Sequence, residues 1–311
     1  MPETVAAVVV TYNRKDLLVE CLAALLEQTR PLNAIFVIDN ASKDGTSEHL
    51  AQRGILQNPS IHYIRLPENT GGAGGFHEGL KRAFESGFDW FWLMDDDVEP
   101  YRHGLEQLLT FSEESHCIHG RKTGPHGEPV GWGDWFDSRA IVTRPIQDQS
   151  FTSHPRYQEV NVGCFEGMLV ARDVVAKIGY PCREFFIMWD DTFYGFLASQ
   201  VTKVLYANVF SLRRKRVLDT VSFRGERVTL APMAAYYYQR NRFLVARKLN
   251  SVGLVFFAST LYSVIRTVAK DFFLTRDRAR VAASIRGLFD GVRELVWPKF
   301  DGCEAVRGAS R

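Results

Sequence analysis

The 311-residue sequence predicts an α/β fold, a mostly parallel sheet followed by a helical C-terminal region, and three observations predict it. Across residues 5–94, apolar runs of strand length alternate with helix-length amphipathic segments, the rhythm of βαβ units. Each apolar run ends in polar residues, as expected where a ligand lies along the carboxyl edge of a parallel sheet. Beyond residue 212 the charge changes sign: residues 1–212 carry 18 Lys+Arg against 28 Asp+Glu, and residues 213–311 carry 20 against 8. This divides the chain into an acidic body, residues 1–215, and a basic helical region, residues 216–311.

The elements follow in order. Strands are expected at 5–10, 34–39, 61–66 and 90–94, separated by helices near 15–28, 46–53 and 73–86. Residues 120–157, rich in Gly, Pro, Trp and charge, read as loops covering the site. Order returns at 160–171, a helix begins near Asp191, and the pattern is helical from Pro232 onward, with a basic helix over 277–295.

Hydrophobic residues at 46% supply a large core, and no run reaches the roughly 18 apolar residues of a membrane span. Cys21, Cys117, Cys164, Cys182 and Cys303 are scattered and form no C-x-x-C pair, which points to a reducing cytoplasm rather than a disulfide framework. The opening Met1-Pro2-Glu3-Thr4 lacks a basic leader, so no secretory signal is expected. No nucleic-acid motif accompanies the basic tail, which favours peripheral contact with a membrane surface over nucleic acid.

Asp95, Asp96 and Asp97 follow the apolar run Trp90-Phe91-Trp92-Leu93-Met94 and carry the sharpest chemical signal. Three carboxylates at a strand tip repel one another, and a hard divalent ion held by carboxylates and substrate phosphates relieves that repulsion. The other strand ends carry Thr11-Tyr12-Asn13-Arg14, Asp39-Asn40 and Asn69-Thr70-Gly71-Gly72-Ala73-Gly74-Gly75. The glycines Gly71, Gly72, Gly74 and Gly75 open a helix, so its N-terminus can approach a phosphate or sugar. Their spacing fails the dinucleotide fingerprint, with His77 where its last Gly would stand, which disfavours an NAD-dependent oxidoreductase. Asp39 is placed to read a nucleotide base, and Asp44 to cap the following helix.

A second apolar run, Phe185-Phe186-Ile187-Met188-Trp189, delivers Asp190 and Asp191. A carboxylate beside an aromatic wall suits the base that takes a proton from an attacking hydroxyl, and Asp191 is assigned that role. Trp189 and Asp190 are assigned to the acceptor side, with Asp190 also placed to cap the helix. His116-Cys117-Ile118-His119 is a weak metal candidate. Arg213-Arg214-Lys215-Arg216 reads either as contacts to a lipid diphosphate or as a solvated face. Phe256-Phe257-Ala258-Ser259-Thr260-Leu261-Tyr262 reads either as core or as an interfacial stretch.

In this order the blocks resemble the family-2 glycosyltransferases of GT-A fold, with Val9-Val10-Thr11-Tyr12-Asn13-Arg14 as the opening signature. The resemblance implies that Thr11, Tyr12 and Asp39 surround the nucleotide base and that Asp95 holds the ribose side. Asp97 would hold Mg²⁺ or Mn²⁺ at the diphosphate, with Asn13, Arg14, Asn69 and Asp96 beside the donor. Asp191 would be the base of a single inverting displacement. Asn69 to Phe76, Trp92 to Asp97 and Trp189-Asp190-Asp191 look most like bacterial galactofuranosyl- and rhamnosyltransferases. Tyr237-Tyr238-Gln239-Arg240-Asn241-Arg242 is similar to the mycobacterial galactofuranosyltransferases that act on a polyprenyl-diphosphate acceptor. UDP-galactofuranose is therefore the implied donor and dTDP-rhamnose its rival, with a non-catalytic sugar-nucleotide scaffold as a third reading. The implied location is the inner face of the cell membrane. Many members place a metal-binding histidine after the base carboxylates. Here His154 is the last histidine, and Asn208 or Ser211 stands near the expected position.

Overall fold

The computed structural model describes residues 3–146, 150–216, 231–273 and 276–297. The first half is built from β1 (Val5–Thr11), α1 (Lys15–Leu26), β2 (Ala34–Asp39), α2 (Thr46–Gln52), β3 (Ile61–Arg65), α3 (Gly71–Glu85) and β4 (Trp90–Asp95). Next come β5 (Val98–Pro100), α4 (Gly104–Leu109), β6 (Cys117–Thr123), β7 (Pro129–Val130), β8 (Asp134–Asp137) and β9 (Val142–Pro145). The sheet is completed by β10 (Tyr157–Val160), β11 (Met168–Ala171) and β12 (Val204–Arg214), with α5 (Arg172–Ile178) and α6 (Asp190–Ser199) between the last two.

β1 lies between β2 and β4, parallel to both, with Val8 opposite Phe36 and Leu93. The main sheet runs β10-β12-β6-β11-β4-β1-β2-β3, with β5 on β12 and β7 on β6. β11 is antiparallel to both β4 and β6, and β12 is parallel to β6. The carboxyl ends of β1, β2, β4, β6 and β12 therefore open on one edge, which is where the candidate site lies.

All seven residues of β1 are buried because helices cover both faces of the sheet, and this is why the strand reads as a continuous apolar run rather than an alternation. Ala6, Val8 and Val10 pack with Phe76, Leu80 and Ala83 of α3. Val5, Ala7 and Val9 pack with Leu18, Cys21 and Leu22 of α1. α3 comes unusually close: a Cβ at Gly75 would lie 2.5 Å from Val10 Cγ1, and one at Gly79 would press on Val8 and lie 2.9 Å from Ile38 Cγ1.

The segment 120–157 corrects the expectation of loops. Its first residues end β6, an interior strand between β12 and β11, and β8 and β9 form a hairpin. His119, Gly120, Arg121 and Lys122 break the apolar signal, but Lys122 pairs with Glu166 and Arg121 donates to Asn208 inside the fold, so β6 is largely buried despite its composition. α3 begins at Gly71, two residues before the expected start.

The C-terminal region forms α7 (Pro232–Lys248), α8 (Leu254–Phe273) and α9 (Arg278–Val296). Phe243, Leu244, Val245 and Ala246 of α7, with Phe256 of α8, share an apolar cluster with α3 and the sheet. α9 lies against α7 through Gly287 and Gly291, which face the Tyr236 backbone and the Phe243 ring. Asp277 caps α9 by accepting the Arg280 N–H at 3.0 Å, and Arg280 pairs with buried Asp271 at 2.9 Å. The stretch 256–262 is divided by helical spacing: Phe256 and Thr260 are buried, whereas Phe257, Leu261 and Tyr262 are exposed.

Gly79→Ala forces a methyl between Val8 and Ile38 and is expected to destabilise the protein by about 1–3 kcal/mol, read from the urea unfolding midpoint. An unchanged midpoint would mean that α3 withdraws from the sheet at no cost.

Candidate active site

The site starts from the charge problem at the tip of β4. Asp96 is buried; its Oδ2 accepts the Thr11 hydroxyl at 2.6 Å, and its Oδ1 accepts Arg14 Nη1 at 2.9 Å. The same Arg14 nitrogen lies 2.8 Å from Asp97 Oδ2, so one guanidinium bridges two of the three carboxylates. Burial pushes Asp96 up to about 6, against the pull of Arg14 and Thr11. Asp95 is pushed well above the ordinary carboxylate range by burial, and then by the charges of Asp97, Glu166 and Asp96.

The loops after β1 and β2 are tied together beside this triplet. Asn13, in the left-handed region at φ 54°, donates its N–H to Ser42 Oγ at 2.9 Å, and its Oδ1 accepts the Lys43 N–H at 2.7 Å. Asp44 accepts the Lys15 N–H at 3.1 Å and the Thr46 hydroxyl at 2.5 Å, so it serves the starts of both α1 and α2 without occupying the expected cap position. α2 instead starts from Gly45, which adopts a left-handed conformation. Asp39 is buried; it accepts the Ser42 N–H at 2.8 Å and the Tyr63 hydroxyl, with Arg65 Nε 3.8 Å away. Tyr12 is exposed at the mouth of these loops.

The glycine-rich start of α3 differs from expectation. Its N-terminus meets protein: the Ala73 N–H donates to the Phe186 carbonyl at 3.1 Å, and Gly71, at φ 73°, is pressed against that same peptide. Asn69 Oδ1 accepts the Gly71 N–H at 2.8 Å. Gly74 faces the Thr70 side chain and Gly75 faces Val10, so both serve close packing, while a Cβ at Gly72 would meet open space. A helix start that looks open in sequence is closed by a segment more than a hundred residues away.

That segment leads into Asp190 and Asp191. α6 begins at Asp190, its N-cap is Trp189, and no side chain caps it, so Asp190 is not the expected cap. Asp191 Oδ1 accepts the Thr192 N–H at 2.6 Å. Burial and the neighbouring Asp191 push Asp190 up to about 8. Burial also raises Asp191, countered by the Thr192 N–H and hydroxyl and by Lys122. Burial thus raises both groups, and the Thr192 N–H and hydroxyl favour the ionised form of Asp191.

Sequence reasoning missed the group between these two acidic corners. Lys122, fully buried near the end of β6, donates to Glu166 Oε2 at 2.8 Å and to Cys164 Sγ at 3.0 Å. Arg214, at the end of β12, donates through Nε to Glu166 Oε1 at 2.8 Å. Burial works against the Glu166 charge, yet Lys122 and Arg214 hold it at about 2. The backbone locks the cluster to the triplet, since the Lys215 N–H donates to the Asp97 carbonyl at 2.9 Å. The first three residues of the basic run make ion pairs within the protein: partly exposed Arg213 and Lys215 pair with Glu99, and Arg214 with Glu166.

Two further expectations are corrected. Asn208 binds Arg121 and the Pro155 carbonyl, and Ser211 packs buried beside Gly104 and Gly120, so neither joins Asp97. His116, just before β6, pairs with Asp173, while His119 within β6 is buried against Trp132; positions an odd number apart along an extended chain point to opposite faces. They form no metal cluster.

A divalent cation fits the tip of β4. Asp95 and Asp97 are the oxygen donors such an ion takes, and Asp95 makes no ion pair among the described residues. Among those residues no group of three His, Cys, Asp or Glu is arranged to hold a metal alone, so phosphate oxygens would complete the shell.

The sequence model of "Glycosyl transferase family 2" matches residues 6–179. The chain belongs to that family. Its fold is GT-A. This family-2 chain is 40% identical over 201 residues to galactofuranosyltransferase GlfT1 of Mycolicibacterium smegmatis, covering 61% of this chain and 63% of that protein. The match thus spans less than two thirds of that relative. It is 20% identical over 321 residues to the dTDP-rhamnosyl transferase RfbF of Shigella flexneri, covering 100% of this chain and 99% of that one. The crystal structure of GalNAc-T7 with UDP, GalNAc and Mn²⁺ superposes with a TM-score of 0.59 at 13% identity, over 97% of this chain and 55% of that one.

Glu166→Gln leaves two buried cations without their carboxylate and is expected to cost about 3–5 kcal/mol in chemical denaturation. A separate expectation concerns Asp190. Because the folded state keeps its proton up to about pH 8 while the unfolded chain loses it in the ordinary carboxylate range, its contribution to stability falls as pH rises through that window. In Asp190→Asn that component of the pH dependence should vanish from thermal melts, and an unaltered profile would contradict the assignment.

Proposed function

We propose that the chain is a metal-dependent inverting galactofuranosyltransferase that moves galactofuranose from UDP-galactofuranose to a polyprenyl-diphosphate-linked glycan at the inner face of the cell membrane. The observation that carries this reading is the arrangement of two acidic corners, Asp95–Asp97 and Asp190–Asp191, about the single buried cluster of Glu166, Lys122 and Arg214. One corner suits a donor diphosphate and the other an acceptor hydroxyl. The likeness to GlfT1 favours galactofuranose. The full-length likeness to RfbF supports dTDP-rhamnose as the second reading.

In the transfer, the acceptor oxygen forms a bond to the anomeric carbon as the bond from that carbon to the diphosphate breaks. The hydroxyl proton passes to the ionised Asp191 carboxylate, and UDP leaves with the electron pair. Thr11, Tyr12, Asn13, Asp39 and Asn69 would hold the nucleoside and Arg14 the diphosphate side, with Gly72 leaving space for the donor. Trp189 and neutral Asp190 would face the acceptor. Mg²⁺ or Mn²⁺, held by Asp97 and Asp95, would supply a Lewis acid that stabilises charge on the leaving diphosphate. Residues 1–215 would carry this chemistry, and residues 216–311 would face the membrane and the lipid-linked acceptor.

Among the described residues no helix is long and apolar enough to cross a membrane. The outward side of α8 and α9 supports peripheral contact instead. Leu254, Leu261, Tyr262, Ile265, Phe273 and Phe289 are exposed, and so are Arg266, Arg276, Arg278, Arg286 and Arg293, whereas none of the acidic residues of these helices is fully exposed. Apolar side chains beside arginines suit an interface with anionic headgroups.

Asp191→Asn is expected to lower turnover about 10²–10⁴-fold with UDP-galactofuranose and Mg²⁺ or Mn²⁺ while UDP still binds. Wild-type turnover in that variant would remove Asp191 from the mechanism, and faster transfer from dTDP-rhamnose would replace the donor. Co-sedimentation with vesicles containing phosphatidylglycerol should weaken in Leu261→Asp/Phe289→Asp. Equal binding by that variant would move the membrane contact elsewhere.

A further inference from the structure

The segment that delivers Asp190 and Asp191 has a backbone that ordinary side chains disfavour. Phe186, Met188 and Trp189 have φ values of 63°, 69° and 71°. Such conformations persist only where the surroundings impose them.

The constraint comes from α7. Asn241, wholly buried, places Nδ2 2.9 Å from the Phe185 carbonyl oxygen, 2.8 Å from that of Ile187 and 2.9 Å from that of Met188. One side-chain amide thus collects three carbonyls that the distorted segment turns inward. Asn241 Oδ1 accepts Arg240 Nε at 2.8 Å, which fixes the orientation of the amide. The Arg240 guanidinium also donates to the Glu184 carbonyl and lies 4.7 Å from the Tyr237 ring centre. Tyr237 stacks on Phe186 at 5.0 Å, and the Trp189 indole donates to the Tyr238 carbonyl at 3.0 Å. The opposite side of the segment is fixed by α3, through the Ala73 N–H on the Phe186 carbonyl.

We propose that Asn241 is a positioning residue of the transfer site: by gathering the Phe185, Ile187 and Met188 carbonyls it sets the direction in which α6 presents Asp191 to the acceptor. The proposal rests on the reading of Asp191 as the base. Asn241 itself touches no reacting atom. An amide suits the task because it donates to carbonyls without bringing a charge into a buried place, whereas a carboxylate there would face three oxygens with none of its own protons.

The test compares Asn241→Ala, Asn241→Asp, Asp191→Asn and the double variant Asp191→Asn/Asn241→Ala in the full chain, with UDP titration and steady-state transfer. Asn241→Ala should lower kcat at least 30-fold while donor KM and UDP affinity stay within twofold, and Asn241→Asp should lose no less. In the Asp191→Asn background the alanine substitution should cost less than threefold more, because its effect runs through the carboxylate already removed. Wild-type kcat in Asn241→Ala, or the same fold-loss in both backgrounds, would overturn the positioning role. An active Asp191→Asn would overturn the base itself, which is a separate result. Should Asn241→Ala fail to fold, Arg240→Met releases the Glu184 carbonyl and the amide's oxygen from a partly exposed position. It should show a smaller loss with the same kcat pattern, and a change confined to donor KM would overturn the proposal.

Discussion

Compensation of negative charge at the carboxyl edge of the sheet governs the rest of this molecule. Asp95, Asp96 and Asp97 emerge together from a buried strand, and their repulsion in a medium less polar than water is severe. Arg14 answers part of it directly. Lys122 and Arg214, tied through Glu166, place further positive charge behind the triplet without leaving a bare buried cation. What is left over, chiefly on Asp95 and Asp97, suits a cation and the phosphates that arrive with it.

The second acidic corner solves the opposite problem. Two adjacent carboxyl groups are kept in a largely apolar wall that raises both, while the Thr192 N–H and hydroxyl favour charge on Asp191. The wall depends on a distorted segment, and that segment depends on α7. The helical C-terminal region is therefore continuous with the catalytic body rather than appended to it. Phe243 to Ala246 share the sheet's apolar cluster, Arg242 donates to the Ala140 carbonyl and to Ser259 of α8, and Asn241 holds the approach to Asp191. Two consecutive polar residues of one helix, Asn241 and Arg242, thus connect the segment before Asp191, the β8–β9 connection and the helix with the exposed apolar side.

Much of this was legible in the chain. The βαβ rhythm, the strand tips bearing Thr11, Asp39 and Asp95, and the start of α6 at the Asp190 pair follow from hydropathy period and chain punctuation, which are local properties. β6 was not legible, since charged residues inside a strand resemble a loop until their partners are known, and Glu166 and Arg214 lie some 40–90 residues further on. The glycines of α3 misled for a related reason. Glycine at a helix start marks a close approach but does not name the visitor; for Gly71 it is the Phe186 peptide, and for Gly75 and Gly79 the side chains of β1 and β2.

The sequence by itself determined the family, the order of elements from β1 to β4 and the chemical type of the two acidic corners, because each is written in contiguous residues. Tertiary structure alone decided which cation serves which carboxylate, that the α3 N-terminus is closed, and that Asn241 governs the segment before Asp191. Those outcomes depend on pairings across long chain separations, and no local pattern records a partner that only folding brings within 3 Å.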